Sequence, residues 1–62
     1  MSTQKKGRDL KPGDEFWWDK KSVGKSKPCI LLEPDEHGNN SYEDPVFTGE
    51  WHLGFERKVW TK

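Results

Sequence analysis

Apolar residues in this chain come in short bursts cut by Gly and Pro, and no stretch repeats at a helical period. The pattern predicts short strands joined by turns. Pro12-Gly13-Asp14 reads as a turn, because Pro presets its φ and Gly accepts positive φ. A first strand over 15–19 puts Phe16 and Trp18 on one face and Glu15, Trp17 and Asp19 on the other. Phe16 and Trp18 are the better core pair, which leaves Trp17 exposed between two carboxylates. A second strand over 27–33 is apolar on both faces, as a central strand is. A third covers 45–48. The fourth, over 51–55, alternates most clearly, with Trp51, Leu53 and Phe55 inward and His52 and Gly54 outward. Residues 57–60 supply Val59 and Trp60 and close the sheet, and Gly54 marks a bulge or sharp bend.

Between these strands lie a basic loop over 20–26 and an acidic loop rich in turn formers over 33–40. Residues 1–9 read as a flexible basic arm, and 10–62 as a single small domain. The expected fold is all-β: a small five-stranded SH3-like barrel or a strongly bent antiparallel sheet. A meander that dimerises to cover its open face is the structural alternative. A flat sheet would not bury Phe16, Trp18, Ile30, Leu32, Phe47, Trp51, Leu53, Phe55 and Val59 together.

Composition narrows this picture. At 62 residues, with 29% hydrophobic and 35% charged residues, the chain holds one domain with a modest core that depends on its aromatics. The net charge is zero, but residues 1–31 carry eight Lys/Arg against four acids, whereas 32–62 carry three against seven. That asymmetry builds a positive patch if the fold keeps the halves apart, and solvated loops if it mixes them. Cys29 is the sole cysteine and lies in an apolar run, so it reads as a small buried thiol with no disulfide partner. No signal-peptide pattern opens the chain and no apolar run spans a membrane, which sets a cytoplasmic expectation. In that setting the sequon Asn39-Asn40-Ser41 is turn chemistry.

Candidate chemistry is sparse. Cys29, His37 and His52 lack zinc spacing. A calcium-loop pattern starting at Asp35 places Asn40 where glycine is needed and Val46 where the closing glutamate belongs. Gly24-Lys25-Ser26 resembles the end of a phosphate-binding loop, but Asp19 stands at its first glycine. Neither a metal, a cofactor nor a local nucleophile–base pair is expected.

The run Leu10-Lys11-Pro12-Gly13-Asp14-Glu15-Phe16-Trp17-Trp18-Asp19, followed by Lys27-Pro28-Cys29-Ile30-Leu31-Leu32, resembles the opening of MazF/PemK-type toxins. The resemblance covers residues 10–32. It implies an SH3-like barrel and an RNA-cleaving site that uses a loop arginine. Lys27 stands at that arginine's position, and a lysine lacks the planar guanidinium fork.

Two binding expectations follow. A non-catalytic module, such as a regulatory accessory factor of phage or plasmid type, would hold a protein partner through Trp17, Glu15, Asp19 and Trp60. That partner is a host protein or the chain itself, as monomer or homodimer. A single-stranded nucleic-acid binder would use Lys20, Lys21, Lys25 and Lys27 on phosphates and Trp17 and Trp60 on bases. Glu15 and Asp19 beside Trp17 favour the protein.

Overall fold

The turn at Pro12-Gly13 sets the register of the strands that follow. Gly13 has φ of 93°. Asp14 closes the turn twice, donating its N–H to the Lys11 carbonyl at 2.9 Å and accepting the Lys11 N–H on its carboxylate at 2.8 Å. In the computed structural model, which describes residues 2–62, the chain then enters a sheet for only two residues.

Six strands form: β1 (Thr3–Lys6), β2 (Glu15–Phe16), β3 (Cys29–Leu31), β4 (Asn40–Glu43), β5 (Glu50–Leu53) and β6 (Lys58–Thr61). Two short 3-10 turns, Gly7–Asp9 and Lys20–Ser22, complete the regular structure. The protein is therefore all-β. Antiparallel pairing gives a four-stranded sheet in the order β2-β3-β4-β5 and a two-stranded sheet of β1 and β6. The sheets are not closed into a barrel. They are stitched by one bridge, in which Trp17 and Trp60 exchange backbone hydrogen bonds at 2.8 Å each.

The core is Leu10, Phe16, Cys29, Leu31, Leu53 and Val59, with Tyr42 packed against it. Register explains which residues share it. Leu31 pairs with Tyr42 and Tyr42 with Trp51, so these side chains share the inner face with Phe16, Cys29 and Leu53. On β3 the inward residues are Cys29 and Leu31, whereas Ile30 and Leu32 are only half-buried.

Several expectations are corrected. Residues 3–9 are not a free arm: β1 pairs with β6 from Thr3–Thr61 to Lys6–Lys58. Gly7 donates to the Arg57 carbonyl at 2.9 Å and Arg8 to that of Phe55 at 3.0 Å. A Cβ on Gly7 would run into the Gly54 carbonyl oxygen, so this close approach requires glycine. The third strand lies at Asn40–Glu43, not 45–48. Asp44 captures the N–H groups of Val46 and Phe47 at 2.8 and 3.2 Å and withdraws them from any ladder.

Phe47, Trp51 and Phe55 are consequently outside the core, at 64%, 46% and 46% exposure. Phe47 rides the Asp44 turn. Trp51 stands on the correct face of β5, but at the edge strand of its sheet. Phe55 falls in the β5–β6 turn, where the Gly54 carbonyl accepts the Arg57 N–H at 3.1 Å.

Candidate functional site: an aromatic-walled cleft

Phe16 and Trp18 do share a face, as strand alternation requires, yet the exposure of the two indoles is the reverse of expectation. Trp17 is 4% exposed and Trp18 is 37% exposed. The outer face of Trp17 is covered by the 19–28 segment, which the sequence presents as a solvated loop. That segment is tightly coiled. Asp19 accepts the Ser22 hydroxyl at 3.0 Å, and Ser22 accepts the N–H groups of Lys25 and Ser26 at 2.9 and 3.1 Å. The coil brings the Ser26 carbonyl to the indole, which donates its Nε1–H at 2.8 Å. A buried indole thus has its one donor satisfied.

Trp18 stands edge-on to Phe16 and Tyr42, with ring centroids 5.4 and 5.5 Å away, and Phe16 and Tyr42 meet at 5.5 Å. Such near-perpendicular contacts suit the ring quadrupoles and lock Trp18 as a fixed wall. The Arg57 guanidinium lies over the Trp18 ring, 5.1 Å from its centroid. Tyr42 faces Trp51 across the β4–β5 pair, and Trp51 meets Phe47 edge-on at 6.5 Å. Exposed Trp18, Phe47 and Trp51 therefore belong, through Tyr42, to one aromatic strip.

A cleft of about 340 Å³ opens beside this strip. Phe16, Trp17, Trp18, Cys29 and Val46 supply its apolar lining, and Asp19, Ser22, Lys27 and Asp44 its polar groups. Val46 is 78% exposed and stands at the cleft only because the Asp44 turn holds it there. A second depression of about 300 Å³ adjoins the first, sharing Lys27, Asp44 and Pro45. Glu15, Pro28, Ile30 and Glu43 line the rest of it.

Register makes the second depression acidic. Glu15 pairs with Ile30, Ile30 with Glu43 and Glu43 with Glu50, so three carboxylates and one isoleucine form a row across four strands. Glu43 and Glu50 are directly opposed, an arrangement that costs stability in an antiparallel pair. Among the described residues, Glu15, Glu43 and Glu50 join no ion pair.

Cys29 lines the cleft with its thiol 3.8 Å from the Asp44 carboxylate. Burial first, then the Asp44 charge and hydrogen bond, push it up to about 11. The thiol stays protonated at neutral pH and makes a poor nucleophile or metal ligand. Among the described residues no group of three or more His, Cys, Asp or Glu side chains is placed to hold a metal ion.

The residues expected in a partner site are thus partly assembled. Glu15 lines the acidic depression, Asp19 the cleft, and Trp17 forms cleft wall as a buried side chain. Trp60 is half-buried in β6, with the Lys20 ammonium 5.6 Å over its ring. The lysines expected to meet phosphates divide. Lys20 covers Trp60, Lys21 and Lys25 are exposed on the coil, and Lys27 stands between the two depressions.

Val46, Asp44 and Trp18 were missed as site residues. Asp44-Pro45 is itself a turn-initiation signal and could have marked the cleft wall in the sequence. Nothing local marks Arg57 over Trp18, which only tertiary packing creates. No helix among the described residues is long and apolar enough to cross a membrane. No family model, curated protein or solved structure matches this chain.

Proposed function

We propose that this domain is a non-catalytic protein-interaction module of regulatory, accessory type, on an SH3-like scaffold, that seats a partner side chain in the cleft beside Trp18. The observation that carries this reading is the cleft itself. It is a preformed, mostly apolar hollow with fixed aromatic walls, in a size range typical of ligand sites. Exposed Val46, Phe47 and Trp51 extend the apolar surface beyond it, and an aromatic anchor patch with a charged rim is the usual anatomy of an interaction hot spot.

Single-stranded nucleic acid is the second reading. Arg57 stacked on half-exposed Trp18 favours it, since that pairing suits a base or a phosphate. The carboxylates beside the aromatic strip, Asp19 and Asp44, oppose it, and Lys20 is already engaged over the half-buried Trp60 ring. An RNA-cleaving role through Lys27, which the toxin resemblance implies, has the least support. The neighbouring thiol is protonated and the expected arginine is replaced.

The test is selection of peptides from a displayed random library on the whole chain, followed by titration calorimetry. Selected peptides should lose about three- to tenfold in affinity with Val46→Ser, and more with Trp18→Ala. Failure to select any peptide, or peptides indifferent to both substitutions, overturns the reading. Salt-sensitive binding of short oligoribonucleotides that Arg57→Ala removes would establish the second reading instead.

A further inference from the structure

We infer that the open edge of β5 pairs with the same edge of a second copy of this chain, antiparallel and centred on Trp51. This surface is a strand edge, different in kind from the cleft, and neither reading depends on the other. β5 is an outer strand of its sheet and pairs with β4 alone. Leu32 donates its N–H to the Ser41 carbonyl at 2.8 Å, so Ser41 and Glu43 turn their backbone groups towards β3. Asn40 and Tyr42 then turn theirs towards β5, where Leu53 and Trp51 return the bonds. The N–H and C=O groups of Glu50 and His52 therefore point outward, and no backbone group among the described residues meets them.

Proteins blunt such edges with lysines, prolines, bulges or local caps, and the outer edge of β1 shows two of these devices. β1 carries Lys5 and Lys6, and the Lys6 N–H is taken by the Asp9 carboxylate at 3.4 Å. β5 has no lysine or proline, and its register with β4 runs without a bulge. Its Trp51 is 46% exposed, and Phe47, at 64%, meets that ring at 6.5 Å. Bare backbone groups and a large exposed ring on one strand mark an edge left open for pairing.

The charges on β5 choose the occupant, because the strand is complementary to itself. Outward groups must meet outward groups, so a two-fold pairing is centred on Glu50, Trp51 or His52. Centring on Glu50 opposes two glutamates that each already face Glu43. Centring on His52 opposes two imidazoles and sets Glu50 against Gly54. Centring on Trp51 sets each Glu50 opposite the other copy's His52, and these pairs exchange N–H···O=C bonds. The two Trp51 indoles then meet at a non-hydrogen-bonded position, where cross-strand side chains come closest. His52 Nε2 lies 3.3 Å from the Asp35 carboxylate, which leaves Nδ1 for the second copy's Glu50.

The test is sedimentation of the whole chain over roughly 10 µM to 1 mM, with amide exchange followed across the same range. Self-association should be weak and reversible, as a small interface implies. The Glu50 and His52 amides should slow as concentration rises, while those of Trp51 and Leu53, already bonded to β4, should not. Trp51→Ala should weaken self-association about tenfold and leave the monomer folded, since that ring lies outside the core. Glu50→Lys and His52→Glu should each weaken it alone, and mixing the two variants should restore it, because each side chain then meets an opposite charge. A chain that stays monomeric throughout the range overturns the inference. So does a dimer whose Glu50 and His52 amides stay fast, or one that mixing does not restore. Self-association lost with Val46→Ser but indifferent to Trp51→Ala assigns the second copy to the cleft and overturns it as well.

Discussion

Trp17 and Trp60 exchange backbone hydrogen bonds at 2.8 Å each, although Trp60 lies in β6 near the C-terminus and Trp17 directly follows β2 of the other sheet. The chain pairs with β3 through Phe16 and turns to β6 one residue later. Trp17 therefore lies under a second layer, the 19–28 coil, where a continuing strand would have faced water. The indole serves the fold, and its neighbour Trp18 serves the surface.

Replacing Trp17 is accordingly a stability experiment. Trp17→Ala should cost about 3–5 kcal/mol, a large share of what a domain this small possesses. Trp17→Phe keeps most of the packing and loses the bond to Ser26, at a cost of about 1–3 kcal/mol. Urea denaturation measures both. An unchanged midpoint for Trp17→Ala would return that side chain to the exterior.

Gly7→Ala tests the join between the chain's N-terminal strand and the β5–β6 turn. The added methyl meets the Gly54 carbonyl, so backbone must move. A loss of about 1–3 kcal/mol is expected by thermal denaturation, with β1 peeling from β6 first in amide exchange.

Glu43→Gln should make the free domain slightly more stable, by about 0.2–1 kcal/mol, because it removes a directly opposed like charge. The gain should shrink as salt rises, since both carboxylates are exposed. A destabilised Glu43→Gln domain would mean that Glu43 has an internal partner.

Asp44 and Cys29 make a pH prediction together. The unfolded thiol ionises around its ordinary 9.0, while the folded one stays protonated to about 11. The stability linked to Cys29 is thus fully present below pH 9 and is lost as pH rises to about 11. Burial pushes Tyr42 up as well, so it adds to the loss in the same direction. Alkylation of Cys29 should remain slow until strongly alkaline pH. Asp44→Ala should bring its onset down, though not to the free-thiol value, because burial persists. The same change releases Val46 and Phe47 from their turn and should cost about 1–2 kcal/mol together with the cleft's affinity. Rapid alkylation of the folded wild type at neutral pH would refute the placement of this thiol.

What the residues determined by themselves is the local grammar. Gly and Pro every few residues and β-rich bursts between them make an all-β chain, because no stretch offers a helix one apolar face. Alternation put Phe16 and Trp18 on the same side, and the pair packs edge to face with ring centroids 5.4 Å apart. A run such as Cys29-Ile30-Leu31-Leu32, apolar at every position, carries no such signal, and the core took Cys29 and Leu31. The Asp44-Pro45 turn was written in the sequence as well, but the apolar Val46 and Phe47 after it read as a strand. Only the tertiary structure decided which indole meets solvent, because that depends on what covers each face rather than on which face it is. The coil over Trp17 and the end-to-end pairing of β1 with β6 come from contacts distant in sequence. So does the row Glu15, Ile30, Glu43 and Glu50, which no spacing along the chain reveals, because cross-strand register alone brings those four side chains into line.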